Sequence, residues 1–447
     1  MTIVLILLVV AHIYFCWKSL AYGCAFMIAT RMIFPPLIRI GPVSMNTAFI
    51  IILLFFCILK GANVSRKNFF PILTLSLPLA ISGLFAPLNY SVQAKELLQY
   101  SITELLPFSL VCMSIRNQKD LKIIIHSLLV SFTIIGGYGI ITYLIKINPW
   151  VITWGNFSGY EGELYVGDGS DAIRGALSSV ATGNQQGGAI PWGQICLIVL
   201  MFVSFYPMIE NKKARIIVIV LAICNCLLTT KRSVILPVLV LLAILVYYKT
   251  QVKAKYIASS IAFLLLLTLA FTYNKTLHGI YEANIKTAIF FWDDNLSDKY
   301  SIGGSSKTMR FDQIAFTNKL IEQNILIGNG FGFTKVFGEK HGNITDARAF
   351  ESVYLWSIAN SGYIGLILWC LFFYRSYQIN RNISNNREFF LMHGCYWLSI
   401  LLTGMQASLF CYMILVALFL RYKDLCLHKT CMNYKFSNEI HLRRTIN

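Results

Sequence analysis

The chain is poor in charged residues for its length. Only 13% of its 447 residues are Asp, Glu, Lys or Arg, whereas a soluble domain carries roughly a quarter. Acidic residues are especially scarce, with 20 of them against 38 basic ones. This shortage of charge excludes an ordinary soluble globular domain.

Several familiar motifs of catalysis and ligand binding are also absent. The sequence has no HExxH, no CxxC pair, no GxSxG, no P-loop and no EF-hand loop, so it does not look like a metalloprotease, a serine hydrolase or an ATPase. Cysteine is missing from the two long polar stretches of the chain. Its twelve cysteines lie in apolar segments or, for Cys426 and Cys431, near the C-terminal end, which excludes a disulfide scaffold.

Long apolar runs are what the sequence has instead. It is 56% hydrophobic, its mean hydropathy is +0.63, and runs such as 123–145 and 353–375 are long enough to cross a bilayer as helices. We predict an all-α polytopic membrane protein that forms one domain over 1–447 with twelve or thirteen spans.

The charges of the short connections predict how the spans are oriented across the membrane. Basic residues collect in the connections at 116–122, 210–215, 248–255 and 375–387 and after Arg421, and all of these fall on one side if the spans alternate. That side is cytoplasmic by the positive-inside tendency. The formal net charge of +18 therefore needs no nucleic-acid partner. Two long loops, 146–190 and 274–350, then lie on the outer side, where long loops are usually functional.

Lys231 and Arg232 break this charge pattern. They lie in a short turn between two spans that both have basic cytoplasmic ends, so the pair faces outward. A cation at the end of a span can simply extend to the lipid headgroups. We nevertheless interpret the pair as a candidate site, because the neighbouring loops obey the rule that it breaks.

Two more arginines are predicted on the outer side. Apolar spacing predicts a short amphipathic helix near 309–323, with Thr308 as its cap and Arg310 in its first turn. A guanidinium beside free helix N–H groups suits a phosphate. Arg174 precedes the span that follows the first loop. Three arginines that converge would bind a multiply anionic membrane-borne ligand such as a lipid diphosphate.

A general base is expected where the second loop enters the next span. Glu351 lies at the start of that span, where an acid also stabilises a helix N-terminus. His341 is the rival base because its ordinary titration suits neutral pH. The run "IGNGFGF" (327–333) lacks the spacing of a dinucleotide fingerprint, and we interpret it as a tight turn leading back to the membrane.

The order of these motifs resembles the bacterial O-antigen ligase and polymerase superfamily, the Wzy-type O-antigen or capsule polymerases in particular. The resemblance covers about 170–420. It is carried by Arg174-Gly175 with Asn184, "TTKRS" (229–233), "SSKTMR" (305–310), "IGNGFG" (327–332) and "ESVYLWSIANSGYIGL" (351–366).

The resemblance implies a GT-C-like fold and a metal-independent glycosyltransferase of the bacterial cytoplasmic membrane that needs no cofactor. Its substrates would be oligosaccharide repeat units on undecaprenyl diphosphate, and its partners would include membrane lipid, a chain-length regulator and a glycan flippase. Arg232 and Arg310 would hold the diphosphate and stabilise the leaving charge. Arg174, Lys231, His341 and Tyr354 would bind substrate, and Glu351 would be the base.

Three alternatives stay open from the sequence. An O-antigen ligase would carry a histidine near position 350 or 351, where this chain has Phe350-Glu351. A transporter or flippase of lipid-linked glycan would place charges within its spans and show internal repeats, and here Arg31 is the main charge within a span. A purely structural membrane scaffold is the third alternative.

Overall fold

The computed structural model describes residues 2–157, 188–249, 307–341 and 350–426, together with residues 278 and 286. Short gaps within these ranges fall at 36–37, 41–42, 63–64, 146, 206–208, 210, 230, 351, 381–385 and 405–407. The statements below concern the described residues.

The described part of the chain is built from helices. In the first half these are α1 (Thr2–Lys18), α2 (Leu20–Ile33), α3 (Met45–Leu59), α4 (Leu77–Gly83), α5 (Tyr90–Tyr100), α6 (Leu106–Ser114), α7 (Gln118–Ile145) and α8 (Pro149–Phe157). In the second half they are α9 (Ala189–Phe205), α10 (Lys212–Leu228), α11 (Arg232–Lys249), α12 (Lys307–Leu320), α13 (Phe333–His341), α14 (Val353–Asn380), α15 (Asn386–Leu402) and α16 (residues 409–426). The strands β1 (Arg39–Ile40) and β2 (Val43–Ser44) form a small antiparallel pair.

The architecture confirms the predicted all-α membrane fold. Three helical stretches are long and apolar enough to cross a bilayer, namely Tyr90–Ser114, Gln118–Ile145 and Val353–Ile379, and seven shorter apolar helices accompany them within the described ranges. The first of these stretches joins α5 to α6 through a π-helical turn at Ser101–Leu105. The total of twelve or thirteen spans stays a prediction.

Cationic side chains close several helix ends by donating to backbone carbonyls, which have no partner within their own helix. The acceptors Ile115, Ser204 and Ile379 lie near connections that are predicted to be cytoplasmic. Trp17 and Lys60 fall on the same side if the spans alternate. The pairs are Lys60 to Trp17, Arg116 to Lys60, Arg215 to Ser204, Arg421 to Ile115 and Lys423 to Ile379. Each cation also interacts favourably with the negative end of the helix dipole.

Helix α14 is broken at Gly362, and the glycine-rich segment fills the break. Gly362 has φ 62° and ψ −164°, outside the helical region. The amide groups of Tyr363 and Ile364 donate to the carbonyls of Ile325 and Leu326 at 3.1 and 3.0 Å. The broken span therefore keeps its backbone hydrogen bonds satisfied, as a membrane interior requires.

The other side of the break is closed in the same way. Asn329 and Gly330 donate their amides to the carbonyls of Ala359 and Asn360 at 3.1 and 2.7 Å. Gly328 has φ 64°, and a Cβ atom there would lie 2.4 Å from the amide nitrogen of Gly362. Only a glycine backbone can approach the broken helix this closely.

Side chains from two other elements fix the glycine-rich segment. The amide oxygen of Asn360 accepts from the backbone N–H groups of Gly332 and Thr334 at 3.1 and 3.2 Å. The amide oxygen of Gln93, on α5, accepts from the Phe331 N–H at 3.3 Å. Phe331 is buried between Tyr100 and other aromatic rings. The segment is thus a packed part of the core.

A buried ion pair joins the N-terminal helices to the last helix. Arg31 on α2 lies 2.6 Å from the carboxylate of Glu104, donates to the Thr103 carbonyl, and stacks over the Phe410 ring. The second carboxylate oxygen of Glu104 accepts the Phe410 N–H at 2.9 Å. Buried charges are stable only when paired and hydrogen-bonded in this way. Arg31 is the charge within a span on which the transporter alternative depended. Its partner in the structure is Glu104, and the pair joins helices.

Helix α12 differs from its predicted form. It runs Lys307–Leu320 and so includes Thr308, which therefore does not cap it. Phe311, expected on the apolar face, is 62% exposed, whereas Gln313 and Thr317 are buried. These polar side chains can be buried because each has a hydrogen-bond partner on that side. The Gln313 side chain accepts from Arg310, and the Thr317 hydroxyl donates to the Gln313 carbonyl.

Candidate functional site

The turn between α10 and α11 presents Lys231 and Arg232. Thr229 closes α10, because its N–H donates to the carbonyls of Asn225 and Cys226 and its hydroxyl donates to Cys226 at 2.7 Å. The Lys231 carbonyl accepts the first helical hydrogen bonds of α11. Both cations are half-buried. Arg232 therefore lies in the first turn of a helix, where the backbone dipole also attracts an anion.

This turn packs directly on α9. Gly193 has no side chain at the contact, and a Cβ atom there would lie 2.6 Å from Val234 and 2.9 Å from Thr229. The Cys226 thiol points to the Gly193 carbonyl at 3.6 Å. The cation-bearing turn thus rests on the N-terminal part of α9.

Arg310 lies in the first turn of α12 and reaches the end of α15. One terminal nitrogen of its guanidinium donates to the Leu402 carbonyl at 2.6 Å, and the other donates to the Gln313 side chain at 3.3 Å. The guanidinium is half-buried. A planar fork that spans two acceptors in different helices is held in one orientation.

The same part of α9 also contacts the chain that follows Leu402. Gln194 is fully buried, and its amide nitrogen donates to the Gly404 carbonyl at 2.7 Å. Gly193 contacts the turn of Arg232, and Gln194 contacts the turn beside Arg310. The two arginines are therefore brought to the same end of the helix bundle. We call Lys231, Arg232 and Arg310 the outer cationic site, after the side of the membrane on which the charge pattern predicts them.

His341 and Tyr354 lie farther along the same loop and span. His341 ends α13, is exposed, stacks on Phe337 with ring centroids 4.2 Å apart, and points a ring nitrogen at the Phe337 carbonyl. Tyr354 is half-buried in the first turn of α14, near Tyr363.

Glu351 and Arg174 lie outside the described residues. The neighbours of Glu351 are described. Phe350 packs against Phe316 of α12 and Phe337 of α13, and the hydroxyl of Ser352 accepts the Leu355 N–H at the start of α14. The chain on either side of Glu351 is therefore attached to the helix that carries Arg310 and to the span that follows.

Two features of the structure were not found by sequence reasoning. Gln194 interrupts an otherwise apolar helix, "AIPWGQICLIVLMFVSF", and a lone amide in such a run is the signal that could have found it. The pairing of Arg31 with Glu104 had no local signal, because the two residues are far apart in the chain.

Among the described residues, no three His, Cys, Asp or Glu side chains form a group that could hold a metal ion.

The fold and the outer cationic site together define a helical membrane protein with arginines at one end of its bundle. Residues 217–370, about a third of the chain, match the family model described as O-antigen ligase. This match confirms the resemblance to the O-antigen ligase and polymerase superfamily. It supports an enzyme of that family and does not distinguish a ligase from a polymerase. No curated protein sequence matches the chain.

Proposed function

We propose that the protein is a glycosyltransferase that polymerises oligosaccharide repeat units carried on undecaprenyl diphosphate, at the outer face of the bacterial cytoplasmic membrane. The observation that carries the proposal is the common position of Arg232 and Arg310 around the start of α9. Two guanidinium groups at a membrane surface suit the two phosphates of a lipid diphosphate.

The reaction needs no nucleotide, because the sugar diphosphate is already activated. The hydroxyl oxygen at the non-reducing end of an incoming unit attacks the anomeric carbon of the growing glycan. The bond from that carbon to the diphosphate oxygen breaks, and lipid diphosphate leaves with the electron pair. Arg232 and Arg310 stabilise the charge that develops on the leaving oxygen, and Lys231 adds positive charge beside them.

A base receives the proton of the attacking hydroxyl. We assign this role to Glu351, with His341 as its rival, and we assign substrate binding to Arg174 and Tyr354. The chain has Phe350-Glu351 where a ligase would carry a histidine, which supports polymerisation. The ligase reaction, transfer to lipid A core, is the second candidate, because the matching family model is described as O-antigen ligase.

The test is reconstitution of the purified protein with lipid-linked repeat units, with EDTA present throughout. We expect a ladder of longer lipid-linked glycans and free undecaprenyl diphosphate. A parallel reaction contains lipid A core as acceptor. Transfer to the core without a ladder would identify a ligase, and loss of all activity on chelation would contradict a metal-independent reaction.

A further inference from the structure

Gly193 and Gln194 are consecutive residues of α9 that contact the two segments carrying the arginines. Gly193 lies against Thr229 and Val234, which flank Lys231 and Arg232. A Cβ atom at Gly193 would come within 2.6 Å of Val234. Contacts this short force the neighbour to move, so any larger residue here displaces the start of α11 and with it Arg232.

Gln194 uses both ends of its amide. Its nitrogen donates to the Gly404 carbonyl at 2.7 Å and to the Ser399 hydroxyl at 3.3 Å, and its oxygen accepts the Ser408 hydroxyl at 2.7 Å. These partners lie on both sides of Leu402, the residue whose carbonyl accepts from Arg310. A fully buried amide with its polar groups satisfied holds the surrounding backbone in one arrangement.

We propose that Gly193 and Gln194 form a positioning element for the diphosphate site. Gly193 sets the position of Arg232 through the turn at Thr229–Val234, and Gln194 sets the position of Arg310 through the Leu402 carbonyl. The inference rests on the proposed function, since it assumes that both arginines bind the diphosphate. Both residues lie outside the region 217–370 that matches the family model.

Double-mutant cycles on ligand binding test this division of roles. The probe is undecaprenyl diphosphate, and its Kd is measured for the purified full chain. Gln194→Leu should weaken binding about 10-fold, the scale of one hydrogen bond to a charged group. In an Arg310→Lys background, Gln194→Leu should change the Kd little further. In an Arg232→Lys background it should raise the Kd by the same factor as in the unmodified protein. Gly193→Ala should change the Kd little further in an Arg232→Lys background, and by its full factor in an Arg310→Lys background.

Gln93→Leu is the matched control. Gln93 is another buried amide, and its partners Gly83, Leu88 and Phe331 lie outside the turn of Arg232 and outside α12, so its loss should lower the melting temperature and couple to neither arginine. If Gln194→Leu does not fold, Ser408→Ala takes its place. It removes a single hydrogen bond from Gln194 and should show the same coupling to Arg310→Lys at smaller amplitude.

Two results would overturn the inference, and they are distinguishable. Full multiplication of the Gln194→Leu and Arg310→Lys effects, as expected for Gln93→Leu, would mean that Gln194 stabilises the fold without positioning Arg310. Unchanged binding in both Arg232→Ala and Arg310→Ala would instead remove the diphosphate assignment itself, and the positioning role would fall with it.

Discussion

Arg310 donates a hydrogen bond to the backbone carbonyl of Leu402 across 2.6 Å, which joins α12 to the end of α15. Leu402 lies next to the turn that Gln194 holds. A surface arginine in a mobile loop would lose much of its binding energy to ordering. This arginine is already oriented by two acceptors, Leu402 and Gln313, so little ordering of Arg310 is needed when a ligand binds.

Arg232→Ala should abolish long-chain glycan and leave single repeat units, because the leaving diphosphate loses one of its cations. Removing one such donor lowers kcat by about 10²–10³-fold. The measurement is the chain-length ladder in cells together with elongation by purified protein. Arg215→Ala is the control, since Arg215 donates to the Ser204 carbonyl at the opposite end of the bundle. A normal ladder in Arg232→Ala would refute the assignment.

Arg310→Lys should be poorly tolerated although it keeps the charge. A lysine ammonium cannot reproduce the planar fork that reaches both Leu402 and Gln313. We expect elongation to fall at least about 10-fold, which corresponds to one charged hydrogen bond. Elongation kinetics with lipid-linked repeats measure this. Lys319→Arg, at the other end of α12, should have no effect, and wild-type activity of Arg310→Lys would show that only its charge matters.

Glu351→Gln and His341→Ala separate the two candidate bases. Loss of a general base lowers the rate by about 10²–10⁴-fold while leaving substrate binding largely intact. We therefore expect a fall in kcat with little change in KM for Glu351→Gln, and a small effect for the exposed His341→Ala. The reverse result would assign the base to His341.

Gly328→Ala should destabilise the protein strongly. An added Cβ atom would lie 2.4 Å from the Gly362 nitrogen, at a residue with φ 64°. The strain of the backbone alone costs about 1–2 kcal/mol, and the clash adds to it. Gly61→Ala is the matched control, because Gly61 has φ 57° but nothing within 4 Å of the added atom. Melting temperatures in detergent compare the two, and equal values would contradict the packed break in α14.

Glu104→Ala should leave Arg31 buried without its partner. Breaking one side of a buried ion pair costs about 3–5 kcal/mol. The half-buried pair of Glu96 with Lys335, at 2.7 Å, is more accessible to solvent than the Arg31 pair. It provides the comparison, since ion pairs weaken as solvent reaches them and contribute at most about 1 kcal/mol at an exposed surface. Thermal unfolding of Glu104→Ala and Glu96→Ala should therefore differ clearly. Similar melting temperatures would mean that the Arg31 pair contributes little to stability.

The sequence by itself determined the fold class and the main candidate residues. Long apolar runs specify membrane helices because a bilayer admits few alternatives, and the charge of short connections indicates which side Arg232 faces. Local patterns also predicted a helix around Arg310, but they did not predict that the polar Gln313 and Thr317 would be among its buried side chains. Hydrophobic spacing does not register polar residues that find partners inside the protein.

Only the tertiary structure decided which distant residues meet. The contacts of Gly193 with Val234, of Gln194 with Gly404 and of Arg310 with Leu402 join segments far apart in the chain. The same is true of Arg31 with Glu104 and of the glycine-rich segment with the break at Gly362. Such pairings follow from helix packing, which depends on the shapes of whole faces and leaves no period in the local sequence.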